Sequence, residues 1–340
     1  MPLIDELLQI ADEIDFSGVV TVSVGDQRLV EIARGAADRA NKRPIDLATR
    51  FGTASVAKGL TALTVASLID TGELRFDTTL RSLVGDALPT VDDGVTIEHL
   101  LGHTSGVGDY LDEDTLEDVD GYLMPIPVHR LASPVDYLAV IDGFPQVSVP
   151  GTAFHYNNGA YVMLAIAVER ATGRSYYDLM QERVLDPAGM AETAFERSDR
   201  LPPGAATGYL EDGRSNVLHL PVRGVGDGGV YTTAKDLESL WKALFAGRIL
   251  PIESVERLVQ PRNDDPNEGR RYGLGFWLRS DRETVMLEGM DAGVSCRTAF
   301  DRPSGLTYVV ISNTSSGAWP MVGHLDERLP ALADSEVGRA

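Results

Sequence analysis

Cysteine is almost absent from the 340-residue chain. The single one, Cys296, rules out an intrachain disulfide and leaves no paired thiols for a metal or cluster. It falls in the alternating run GVSCRTAF, which reads as a strand with Cys296 as a small core residue. Lysine is nearly as scarce, with Lys42, Lys58, Lys235 and Lys242 the only four among 30 basic residues. Against them stand 51 acidic residues and a net charge of −21, a surface that excludes nucleic acid and anionic membranes as partners. No apolar run approaches the roughly 20 residues that span a bilayer. Five of the six histidines (His99, His129, His155, His219 and His324) lack metal-ligand spacing. There is no Gly-x-Ser-x-Gly elbow, phosphate loop or dinucleotide fingerprint, which argues against an α/β-hydrolase or a nucleotide enzyme. The opening, MPLIDELLQIADEIDF, lacks the basic region and continuous apolar core of a signal peptide. It reads as an acidic amphipathic helix and sets the expectation of a cytoplasmic protein.

What is present begins with ordinary globular composition, 43% hydrophobic and 24% charged, enough for one large domain or two joined ones. Gly18–Val24 and Arg28–Arg34 alternate as strands around the turn Gly25-Asp26-Gln27. From Gly72 to about Gly226 the pattern changes to short helical runs (96–101, 134–142, 161–172, 176–185) and loops rich in Pro, Gly and Asp. Strand character returns at 284–289, 293–300 and 306–313, and a helix over 318–332 closes the chain. The expected fold is therefore α/β (α+β). An antiparallel sheet is drawn from both chain ends, with helices on both faces and an inserted helical region. The expected boundaries are 1–71 with 227–335 for the sheet domain, 72–226 for the insertion and 336–340 for a tail.

One stretch organises the rest. Between Arg50 and Asp70, FGTASVAKGLTALTVASLI carries a single charge, Lys58, and is apolar or small on nearly all sides, the mark of a buried helix. Ser55 lies at its start, three residues before Lys58 and on the same face. A buried ammonium loses proton affinity, so such a lysine can take the proton of a neighbouring hydroxyl. A serine at a helix start also has free backbone N–H groups beside it for an oxyanion. The competing reading is a serine cap followed by a snorkelling lysine. Spacing alone does not decide. Chance supplies roughly 0.2 Ser-x-x-Lys matches in a chain of this composition, and a second match, Ser239–Lys242, sits among charges in KDLESLWKAL. A second proton carrier is needed, and PGTAFHYNNG offers Tyr156 and Asn158, two apart in a loop before an apolar helix. A tyrosine beside that lysine is expected to have a lowered pKa. The competing reading there is a turn with an Asn cap for the next helix.

Taken together these segments resemble the serine β-lactamase and penicillin-binding-protein-like hydrolases, especially the class C β-lactamase, esterase and D-aminopeptidase branch. Ser55-Val-Ala-Lys58 matches the Ser-x-x-Lys motif and Tyr156-Asn-Asn158 the Tyr-x-Asn motif. Leu100–Gly106, Pro150-Gly151 with Phe154, Gly228–Asp236 and Tyr272–Gly275 match further stretches in order, over about residues 8–325. The resemblance implies Ser55, Lys58 and Tyr156 as the catalytic set, with Asn158 ordering Lys58 and contacting substrate. It implies His103 as a structural cap, the N–H of Met290 as a second oxyanion donor, and no cofactor or metal. The third motif departs from the family. Over Leu287–Gly293, Gly289 and Gly293 fit, but Leu287 stands where a cation is usual and Glu288 adds a negative charge. A small ester, amide or short peptide then suits the site, or a substrate with an amine near Glu288. Efficient β-lactam or carboxypeptide hydrolysis does not. A non-turnover binding or regulatory protein on the same scaffold is the alternative, and a weak β-lactamase or D-amino acid peptidase is another.

Overall fold

The computed structural model describes residues 2–265 and 269–337. Eight strands form one antiparallel sheet in the order β2-β1-β12-β11-β10-β9-β8-β7. Here β1 is Gly18–Val24, β2 Gln27–Arg34, β7 Asn263–Asp264, β8 Arg271–Tyr272, β9 Trp277–Leu278, β10 Thr284–Asp291, β11 Val294–Asp301 and β12 Leu306–Ser312. The N-terminal hairpin therefore pairs with the last strand, Gly18 opposite Ser312 and Val24 opposite Leu306. Sheet and hairpins are as expected from the alternation in those runs. The segments β7, β8 and β9 are two residues long each, too short to leave a period in the sequence.

Alternation sends neighbouring side chains to opposite faces. Val20, Val22, Tyr308 and Val310 pack with Leu7 and Ala11 of α1 (Leu3–Glu13) and with Met321, Leu325 and Leu329 of the closing helix Trp319–Val337. Val19, Val309 and Ile311 face the other way, against α2 (Ala57–Asp70) and the helices Asn158–Thr172 and Ala234–Phe245. Every residue of α2 from Ala57 to Leu68 is buried. That is the physical consequence of a stretch with one charge, and it forces Lys58 into the interior. The other Ser-x-x-Lys pair has the opposite fate: its lysine, Lys242, is 43% exposed and ion-paired with Asp26. Of the expected tail 336–340, residues 338–340 lie outside the described residues, and the closing helix runs to Val337. No helix among the described residues is long and apolar enough to cross a membrane.

Candidate active site

Ser55 lies in a 3-10 turn, Ala54–Val56, that feeds α2. Ala54 has φ +46, a conformation unfavourable for any residue with a Cβ. The turn is strapped in place. Phe51 and Gly52 (β5) pair with Thr232 and Tyr231 (β6), and the Thr53 N–H donates to Val230 O at 3.0 Å. On its other side runs β10. A Cβ at Gly289 would stand 2.3 Å from Thr53 O and 2.5 Å from Ser55 N, so only glycine lets the strand pass this close.

Lys58 is 2% exposed, and its Nζ has three partners: Ser55 Oγ at 2.8 Å, Asn158 Oδ1 at 2.7 Å and Asp227 O at 2.8 Å. Two of these, an amide oxygen and a main-chain carbonyl, can only accept. The Asn158 amide is fixed the right way round, because its Nδ2 donates to Leu111 O at 2.8 Å and Glu113 Oε1 at 3.1 Å. A neutral amine would spend its two N–H bonds on those acceptors and turn its lone pair to the Ser55 hydroxyl. Burial lowers the Lys58 pKa, outweighing the opposing pull of Asp227, Glu113, Asp109 and Asp291.

Tyr156 stands over this pair. Its ring lies 4.9 Å from Lys58 Nζ, and its hydroxyl hydrogen-bonds Ser55. The expected lowering of its pKa is overturned. Burial pushes it well up, Glu113 adds to the rise, and the lysine meets the ring face of the phenol. Tyr156 is therefore a neutral phenol here. It is held in an aromatic stack, 4.4 Å from the His103 ring and 5.7 Å from Trp277. His103 is buried. Its Nδ1 accepts from Asn157 N at 3.1 Å, so its proton sits on Nε2, facing Tyr272 Oη at 3.2 Å. Burial, Lys58 and His155 keep it neutral.

A cleft of about 500 Å³ opens over Ser55 and Tyr156. Its apolar wall includes Leu111, Phe154, Trp277, Met290 and Trp319, and its acidic wall includes Glu113, Asp114 and Glu117. Gly289, Met290 and Glu288 line it too, but Leu287 does not. The expectation of Leu287 as a substrate contact is corrected: it is 2% exposed and packs into the core against Gly59 of α2. Strand alternation puts 287 and 288 on opposite faces. Nor is Glu288 a bare charge awaiting an amine. It accepts from Arg270 at 2.6 Å and from Arg297, its cross-strand partner, at 2.8 Å. Burial opposes its ionisation, yet the two guanidiniums hold its pKa below the usual value. Glu288, Arg270 and Arg297 side chains are only 16%, 13% and 11% exposed. Glu288→Gln should therefore lower unfolding stability by about 3 kcal/mol, read by urea denaturation; an unchanged midpoint would contradict the ion-pair account.

Two features escaped the sequence reading. Asp227, whose carbonyl holds Lys58, sits in a glycine-rich loop with no period to flag it. The Glu288–Arg297 pair was within reach, since a two-residue turn at Ala292-Gly293 fixes that register. At the cleft's lip, Asp112, Asp114 and His155 each bring a ligand atom within 4.8 Å of the others. His155 Nε2 lies 3.4 Å from Asp114 and 3.7 Å from Asp112.

The model of the family described as Beta-lactamase matches residues 4–333. The chain belongs to the β-lactamase family. It is 34% identical to esterase EstB of Burkholderia gladioli over 87% of this chain and 86% of that one. It is 30% identical to penicillin-binding protein 4* of Bacillus subtilis, over 82% of this chain but 63% of the relative. To D-aminopeptidase of Brucella anthropi it is 25% identical, spanning 61% of that protein. The crystal structure of penicillin binding protein from Bacillus halodurans superposes with a TM-score of 0.87 at 34% identity, over 94% of this chain and 99% of that one.

Proposed function

We propose that the protein is a serine hydrolase that cleaves small, uncharged carboxylic esters through an acyl-enzyme, with amides of similar size as slower substrates. The observation that carries this reading is the Lys58 amine, 2.8 Å from Ser55 Oγ with both other partners obligate acceptors. Ser55 Oγ attacks the carbonyl carbon while its proton passes to Lys58 Nζ. The N–H groups of Ser55 and Met290 receive the oxyanion, each worth about 3 kcal/mol. Collapse expels the alcohol, which takes its proton from Lys58 by way of the Tyr156 hydroxyl. Water then attacks the acyl carbonyl, giving its proton back along the same route, and Ser55 is released with the acid. Ester rather than peptide is favoured by two things. One wall of the cleft is aromatic and aliphatic, and the carboxylates of the other disfavour a negatively charged substrate. The chain also spans most of the relative named an esterase, but under two thirds of penicillin-binding protein 4* and the D-aminopeptidase.

The test is intact-mass spectrometry with a fluorophosphonate, followed by a panel of p-nitrophenyl acyl esters, D-amino acid amides and a chromogenic cephalosporin. One phosphonyl adduct on Ser55 with burst release of p-nitrophenol is expected. Stable labelling without ester turnover would favour the binding-protein alternative.

A further inference from the structure

Lys58 is served by a carboxylate that has no part in the chemistry above. We propose that Asp227 is a positioning residue for the base: its main-chain carbonyl aims the Lys58 amine, and its carboxylate, fixed by Tyr110, sets the pH at which that amine becomes competent. The inference rests on the Ser55–Lys58 reading and deepens it.

The loop carrying Asp227 is locked on both sides. Gly226 O accepts from Thr61 Oγ1 of α2 at 2.7 Å, and a Cβ at Gly226 would meet Tyr161 O at 2.1 Å. Immediately after the loop, Val230 O holds Thr53 of the nucleophile's turn. Asp227 thus cannot slide relative to either Ser55 or Lys58. Its carbonyl points to the amine, while its carboxylate points away into a separate cavity of about 70 Å³ behind the nucleophile's turn. There it accepts from Tyr110 Oη at 2.5 Å. Asp227 is 8% exposed, so little water screens it.

The other groups that face the lysine are accounted for. Glu113 and Asp109, from the loop before Gly121, are engaged with the Asn158 amide and with the Asn158 and Gly159 N–H groups. Asp291, at the end of β10, accepts from Ala292 N and shares the cavity with Asp227. His103, Tyr156 and Tyr161 face it as neutral rings. Tyr137, another hydroxyl by the cavity, donates to Arg223 O. Among these charges Asp227 has the largest effect in favour of protonated Lys58.

A negative neighbour raises a lysine's proton affinity, so removing it lets the amine go neutral at lower pH. The experiment follows the second-order rate of fluorophosphonate labelling and kcat/KM for p-nitrophenyl butyrate from pH 5 to pH 10, in the wild type, Asp227→Asn and Tyr110→Phe. Asp227→Asn should move the acid limb down by about one pH unit with KM nearly unchanged. Tyr110→Phe, which leaves the buried carboxylate easier to protonate, should move it the same way by less. A limb that stays put or moves up in the folded variants overturns the proposal; if Asp227→Asn does not fold, Tyr110→Phe decides. A wild type that is not labelled on Ser55 at any pH would instead remove the hydrolase reading itself, and the proposal with it.

Discussion

Ser55→Ala should abolish turnover of a p-nitrophenyl ester, with kcat/KM falling at least ~10³-fold while the fold is untouched. The residual rate would be what an oxyanion site and a shaped cleft give to water alone. Lys58→Met should be nearly as severe, because the hydroxyl then has no amine within reach. Adding Lys58→Met to Ser55→Ala should cost almost nothing more, since members of one proton-transfer unit are not additive. Stability separates the variants. Ser55 sits at the cleft and its loss is a surface event. Lys58→Met removes a desolvated amine from a helix otherwise buried throughout, so the protein should be at least as stable as the wild type. The orphaned Asn158 and Asp227 oxygens offset part of that gain. Comparing kcat/KM with urea midpoints checks both halves. Ester turnover by Ser55→Ala at a tenth of the wild-type rate or more would remove the serine from the mechanism.

Gly289→Ala should cripple turnover with a single methyl. The added carbon would meet Thr53 O at 2.3 Å, Ser55 N at 2.5 Å and the carbonyl carbon of Ala54 at 3.0 Å. All three are backbone atoms, so no side chain can swing aside. Either β10 backs away or the turn carrying Ser55 does. Both movements separate the N–H of Ser55 from that of Met290, and losing one oxyanion donor costs about 10²- to 10³-fold in kcat. Overpacking should add a destabilisation of about 1–3 kcal/mol. The distinguishing readout is that kcat falls far more than KM rises. A variant with normal kcat would mean that the close approach of β10 has no part in holding the oxyanion.

How far the chain could be read without coordinates depended on what each residue's neighbours in sequence had to say. A helix with one charge in twenty residues announces its own burial, and with it the condition of Lys58. The long alternating strands announced the sheet and its use of both chain ends. Asp227 could not be found, because its role comes from a carbonyl whose direction is set by packing against Thr61 and Tyr161, far away in sequence. The Tyr156 pKa was misjudged for a related reason. Proximity to Lys58 was legible, but not that the amine meets the ring face, nor that aromatic rings dry the hydroxyl. Leu287 and Glu288 were read by position in a motif, whereas strand alternation and the arginines opposite decide what each one does.

The ionisation of Lys58 tests the central claim most directly. With four lysines in the chain, selective ¹³Cε or ¹⁵Nζ lysine labelling gives a spectrum simple enough to follow each amine by NMR. Lys42, Lys235 and Lys242 supply internal references in the same spectrum. The fourth resonance, identified by its absence in Lys58→Met, should lose its proton at a clearly lower pH than the other three, because burial lowers its proton affinity. A Lys58 signal that titrates no earlier than the other three would contradict the account.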